Sequence, residues 1–441
     1  MPVPKILPEK SWKRPPSITT SELPGWKAHR MENQMRPHQP ASLGAAAARP
    51  LRQSVQLNWA PLNTLGVLLL LLGVAGFLVA LIVGRGQRVW EIWLINFLFF
   101  NGIAQGGVVC SAAFYLTQAR WAGSTHYRMA EAFSGYLMIG FVLFWGIFVG
   151  RLSIFPWILH PSPKQQLWLN VPFLFARDGI SLLIITIVSV WFVSLSRRPD
   201  AHAWASRFAD IEMPPAAIRR LAPVVAILYC AIYSLLAFDL IMSLSPKWHS
   251  TLFGWWYFAT DFWSAAVAMA FMAVMFRRRF GPETSATSPA VLHDLGKMVF
   301  AFSIFWMYTG FAQYLVIWYG DIPVETFFIV VRFWHHPWQL LSWSAPILIW
   351  VIPFLVLLGV RPKRTPAILG TVALLGLIGV WILNFILVVP SLSPNRLPFG
   401  WIEVTITAGF LGIFLLCAIP GLKRVATAAF EPVAPELTGM E

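Results

Sequence analysis

Charge is what this sequence has least of: 12% of its 441 residues are Asp, Glu, Lys or Arg, about half the share of an ordinary soluble domain. With 57% hydrophobic residues, such a chain cannot cover its surface with enough polar groups to be a water-soluble globule. Cysteine is nearly missing. Cys110, Cys230 and Cys417 each stand alone in a separate apolar run, which excludes a Cys-ligated iron-sulfur cluster or a covalently attached haem. Histidine is missing where haem b would need it, because all nine lie in the amino-terminal tail, in loops or at helix ends rather than deep in apolar runs. The formal charge of +14 does not point to nucleic acid, since the basic residues lie mostly in short segments between apolar runs.

What the sequence does have is long apolar runs. Crossing the hydrocarbon core takes about 20 apolar residues per helix. Ten runs of that size are predicted as spans: 63–84, 91–117, 129–150, 167–195, 221–245, 252–276, 295–319, 341–360, 367–389 and 400–419. They predict an all-α polytopic membrane protein with a transmembrane domain over 61–420. Residues 1–60, rich in Pro, Lys and Arg, read as a disordered or partner-bound cytoplasmic tail, and 421–441 as a second cytoplasmic tail. Lys and Arg accumulate on the cytoplasmic side of a membrane. Of the 33 in the chain, 24 fall on the amino-terminal side and 7 on the other, so both termini are expected in the cytoplasm.

Ionisable groups inside spans are costly and mark protein interiors or water cavities. On the predicted topology, Arg177 and Asp178 lie about 15 Å in from the outer surface at 1.5 Å per residue. Asp261 and Asp239 fall in the same outer half, as do the amides Asn96, Asn101 and Gln105 behind Glu91. This band reads either as a polar pocket able to accept and release protons or as interhelical hydrogen bonding, with Arg177 neutralising a neighbouring carboxylate. His160 and His249 sit in outer connections among aromatics and prolines, and a neutral imidazole there can take a proton from a hydroxyl. At the inner side, Glu131 with His293, Asp294 and Lys297 reads as the mouth of a proton path or as acids favoured by helix dipoles. Gly102 and Gly106 have the spacing of a close helix contact.

The stretch EIWLINFLFFNGIAQGGVVCSAAFYL resembles the second-helix region of the NrfD/PsrC-like family, the polysulfide-reductase membrane subunits that exchange electrons with quinones. LHPSPKQQLWLNVPFLFARDGISLL, WHSTLFGWWYFATDFWSA and HDLGKMVFAFSIFWMYTGFAQYLVIWYGDIPVET are similar to the smaller of two such subunits in alternative complex III, a quinol:cytochrome c, or quinol:electron acceptor, oxidoreductase. The resemblance covers roughly residues 60–420. It implies two four-helix bundles, helices two to five and six to nine, with peripheral helices one and ten. It implies a bacterial inner-membrane subunit that binds no cofactor itself, takes quinol or menaquinol as the substrate of its complex, and carries quinol-binding candidates His160, Arg177 and Asp178. The partners it implies are a second NrfD-like membrane subunit, an extracytoplasmic iron-sulfur molybdopterin-like subunit, c-type cytochrome subunits bearing the haems, and a terminal oxidase. In such complexes quinol binding is better attributed to the larger sister subunit, so a proton-conducting, scaffolding or anchoring role competes with a quinol site. An ion or solute transporter is a further alternative, against which stands the lack of paired interrupted spans.

Overall fold

The structure, a computed structural model, describes residues 58–429 apart from 120–121, 162, 164, 206–212 and 281–287. The predicted tail therefore lies almost wholly outside the described residues. Among the described residues there is no strand, and the long elements are helices: α1 (Ala60–Ile82), α2 (Gly86–Leu116), α3 (Tyr136–Val149), α4 (Val171–Ser196), α5 (Ala216–Leu240), α6 (Leu252–Phe280), α7 (Pro289–Gly320), α8 (Gln339–Val356), α9 (Pro366–Leu392) and α10 (Trp401–Ala429). Nine of them are long and apolar enough to cross a bilayer. The tenth, α3, is shorter and is extended by a run of turns at 131–135 before it and the short helix Arg151–Ile154 after it. The protein is an all-α polytopic membrane protein whose solvent is largely lipid.

Helix ends follow local chemistry rather than hydropathy. At the start of α7, Ser288 accepts a hydrogen bond from the Val291 amide at 3.3 Å and Pro289 opens the helix, so the helix begins six residues before the predicted span at 295. Asn170 caps α4 the same way, accepting from the Phe173 amide at 2.9 Å, with Pro172 in the first turn. α10 runs to Ala429, so the first residues of the predicted tail at 421–441 are helical. In α8, a π-helical turn at Ile347–Val351 sits between Pro346 and Pro353, where proline removes the usual amide donors.

Helices α2–α5 form one four-helix bundle and α6–α9 a second, joined chiefly where α6 packs on α2 and α5 and where α9 packs on α2. α2 is therefore buried nearly end to end. α1 and α10 lie side by side and lean on the first bundle through α10. Their crossing point is Gly73 against Gly409, where a Cβ on either residue would run into the other's backbone. Because the spans alternate in direction, the ends of α2, α4, α6 and α8 that come first in the chain share one face, opposite the face where α1 begins. These are called here the opposite face and the amino-terminal face.

Candidate functional site

Near the opposite face, α4 and α5 meet over a set of charges in the first bundle. Arg177 of α4 donates through Nε and Nη2 to Asp239 Oδ2 of α5, at 2.9 and 2.5 Å. The second Asp239 oxygen accepts from Trp168 Nε1 at 2.9 Å, and the Arg177 guanidinium lies 3.9 Å over the Trp168 ring and 4.5 Å from that of Phe173. The Asn170 cap and Pro172 fix the turn that brings Trp168 and Phe173 back over α4. Asp239 is 0% exposed, so its charge is held by three donors and a paired cation rather than by water.

Asp178 is different. It too is 0% exposed, and no amide, hydroxyl or cationic donor bonds either carboxyl oxygen: its nearest cation is Arg177 Nε at 3.9 Å, and the neighbouring Asp239 carboxyl is close enough to share a proton with it. Arg177 Nη1 is also buried and without an acceptor. A free donor and two free acceptors thus lie on adjacent residues. This is the set that a hydroxyl-bearing ligand or a water would complete. Alongside, Trp168, Gln165, Phe238, Trp248 and His249 border a cavity of 230 Å³.

Asp261 of α6 is 1% exposed at the interface between the bundles, with Oδ2 unpartnered. It fits there because position 102 on α2 is glycine: a Cβ at Gly102 would overlap the Asp261 carboxylate. Along α2 the polar side chains each reach a partner. Asn101 donates to the Tyr233 hydroxyl at 2.8 Å, Gln105 to Ser189 Oγ at 2.8 Å, Ser111 donates to Glu131 Oε1 at 2.9 Å, and the Tyr115 and Ser196 hydroxyls are 3.0 Å apart. Successive steps of four to six residues are about 6–9 Å along the helix axis. This column runs through the first bundle toward the amino-terminal face, where Arg128 and Arg197 approach Glu131 Oε2 at 3.7 and 3.9 Å. Burial pushes Arg197 down to about 10, against the pull of Glu131.

Of the predicted site residues, the structure joins Arg177, Asp178 and Asp239. Asp261 is buried but makes no bond to them. His160 is exposed at the end of the short helix Pro156–Leu159, with no hydrogen bond to the charge cluster, and exposed His249 borders only the neighbouring cavity. The inner group does not come together as one cluster. Glu131 accepts from Ser111 of α2, while Lys297 pairs with Asp294 at 2.8 Å along α7, and His293 lies on that helix too. The sequence reading missed Trp168, whose indole and ring both serve the ion pair. It also missed Glu403, which takes a forked pair of bonds from Arg88 at 3.0, 2.8 and 2.6 Å and ties α10 to α2. No family model matches the chain, and no curated protein matches it either.

Proposed function

We propose that this chain is the membrane subunit of a bacterial inner-membrane complex that oxidises quinol, with a quinol site at Arg177 and Asp178 close to the face through which the protons leave. The observation that carries this reading is the buried, unpartnered set of Arg177 Nη1 and both Asp178 oxygens beside a fully bonded Arg177–Asp239–Trp168 group. A quinol hydroxyl would donate to Asp178 while its oxygen accepts from Arg177, and Asp239 and Trp168 hold the guanidinium in place. Oxidation releases two electrons and two protons. The electrons pass to the iron-sulfur clusters and c-type haems of extracytoplasmic partner subunits, beside a second NrfD-like subunit in the membrane. Asp178 takes the first proton, passes it to the face near which the cluster lies, and, once ionised again, takes the second. With both termini cytoplasmic, as the Lys and Arg distribution favours, that face is outward.

The test is Asp178→Asn in the intact complex. Loss of a proton acceptor lowers quinol oxidation by about a hundredfold or more while the complex still assembles. A second reading, a structural anchor with quinol oxidised in the sister subunit, is favoured by the way Trp168 and Asp239 saturate most of Arg177, as an interhelical staple would. Unchanged turnover in assembled Asp178→Asn complex would select it.

A further inference from the structure

The second bundle has a cavity of its own, far larger in apolar lining than the one beside Asp239. It occupies 370 Å³ near the opposite face, between α6, α7, α8, α9 and the short helix Pro323–Phe333. That volume is at the small end of the range for small-molecule sites. Its walls are aromatic: Trp306, Phe311, Tyr314, Phe328 and Trp343. Phe311 and Tyr314 are also exposed on the outer side of α7, so the cavity borders the lipid.

Two of its lining residues carry buried polar atoms with no partner, the donor Trp256 Nε1 and the acceptor Gln313 Oε1. Such atoms cost about 1–3 kcal/mol each unless something satisfies them. Trp256 lies four residues from the end of α6 and Gln313 seven from the end of α7, about 6 and 10 Å below that face. Arg332 lines the cavity as well and is 3% exposed, but it is already engaged. Its nitrogens donate to Ile386 O at 2.8 Å, Phe328 O at 2.9 Å, Leu387 O at 3.0 Å and Ser391 Oγ at 2.8 Å, and the guanidinium lies 3.5 Å over the Phe328 ring. A guanidinium spent on backbone carbonyls is a poor receptor for a phosphate headgroup. An uncharged ring bearing both a carbonyl and a hydroxyl or a second oxygen suits the aromatic walls and the two unmet atoms together.

We propose that this cavity is a second binding site, for a lipid-soluble ring compound of the quinone or hydroquinone class. No carboxylate or imidazole lines it, so it holds its ligand without taking a proton and is not a second oxidation centre. The proposal goes beyond the function argued above and does not depend on it.

The experiment is photolabelling of the full chain in phosphatidylcholine nanodiscs with an azido-benzoquinone carrying a short alkyl tail, with decylubiquinone as competitor. Label is expected on peptides spanning 306–314 and 328–343 and is expected to be removed by decylubiquinone. Gln313→Leu and Trp256→Phe should each weaken decylubiquinone binding about tenfold. Gln313→Leu should melt at or above the parent temperature, since it removes an unpartnered polar atom, and Trp256→Phe somewhat below it, because it shortens a buried ring packed on Phe253 and Trp306. Label confined to residues 168–178 would overturn this proposal and leave the Arg177 site standing. Label in the cavity that excess phosphatidylcholine displaces and decylubiquinone does not would make it a seat for lipid chains and overturn it too. Loss of labelling in both variants together with unfolding would be resolved by Ile329→Trp, which fills the cavity from the short helix: retained labelling in that variant overturns the proposal.

Discussion

The two bundles bury cations in opposite ways. In the first, Arg177 is matched by the carboxylate of Asp239 and flanked by a second acid, Asp178. In the second, Arg332 has no acid beside it and is held by three backbone carbonyls, a serine hydroxyl and an aromatic face. An ion pair can rearrange when a proton is added or removed, whereas a cation held by helix carbonyls is fixed with the helices that carry them. The first bundle's cation thus sits in a pair that can rearrange and the second's in a rigid wall.

Breaking each cation's support tests that contrast. Asp239→Ala strands the Arg177 charge in an apolar interior and should cost about 3–5 kcal/mol, seen as loss of the monodisperse folded species in detergent. Replacing both members, Arg177→Met with Asp239→Leu, should recover most of that loss, because the pair's stabilisation largely offsets its own desolvation. Arg332→Met removes the charge along with its bonds and leaves only neutral acceptors unmet, so about 2–3 kcal/mol is expected. If it proves as damaging as Asp239→Ala, charge pairing is not what separates the bundles. Gly102→Ala, which drives a Cβ into the Asp261 carboxylate between the bundles, should lower stability by about 1–3 kcal/mol. Smallest is Asp178→Asn, within about 0.5 kcal/mol in thermal melting, because the amide keeps a donor for the neighbouring Asp239 carboxylate. A large loss there would show Asp178 to be part of the ion pair.

The spans were legible because run length is a property of the chain alone, and ten runs led to ten helices. Their ends were less so. Pro289 to Asp294 is helical despite its polar residues because Ser288 caps it, and hydropathy does not register a cap. At the site, the identity of the buried acids was readable but their pairing was not. Adjacency suggests that Arg177 serves Asp178, yet successive residues on a helix point about 100° apart, so Arg177 turns to Asp239 on another helix and Asp178 is left without the guanidinium. Arg332 lies outside every predicted span, between 295–319 and 341–360. Only the fold of Pro323–Phe333 against α9 shows that it is buried. Glu131 and Asp294 seemed neighbours because both begin helices at one depth, a coordinate that says nothing about lateral distance.

The glycine-lined crossing of α1 and α10 has a consequence for how the protein is made. A membrane chain is inserted in order, so among the described spans α1 enters before all the others and α10, the helix it packs against, after them. Until then α1 must be stable in the bilayer without its partner. It is the most apolar of the described spans, carries no ionisable residue, and buries little beyond Gly66, Gly73, Gly76 and Ala80. Nothing in it demands a protein neighbour early. The seam closes only after the eight spans between its halves have entered, its first half waiting in lipid all that time.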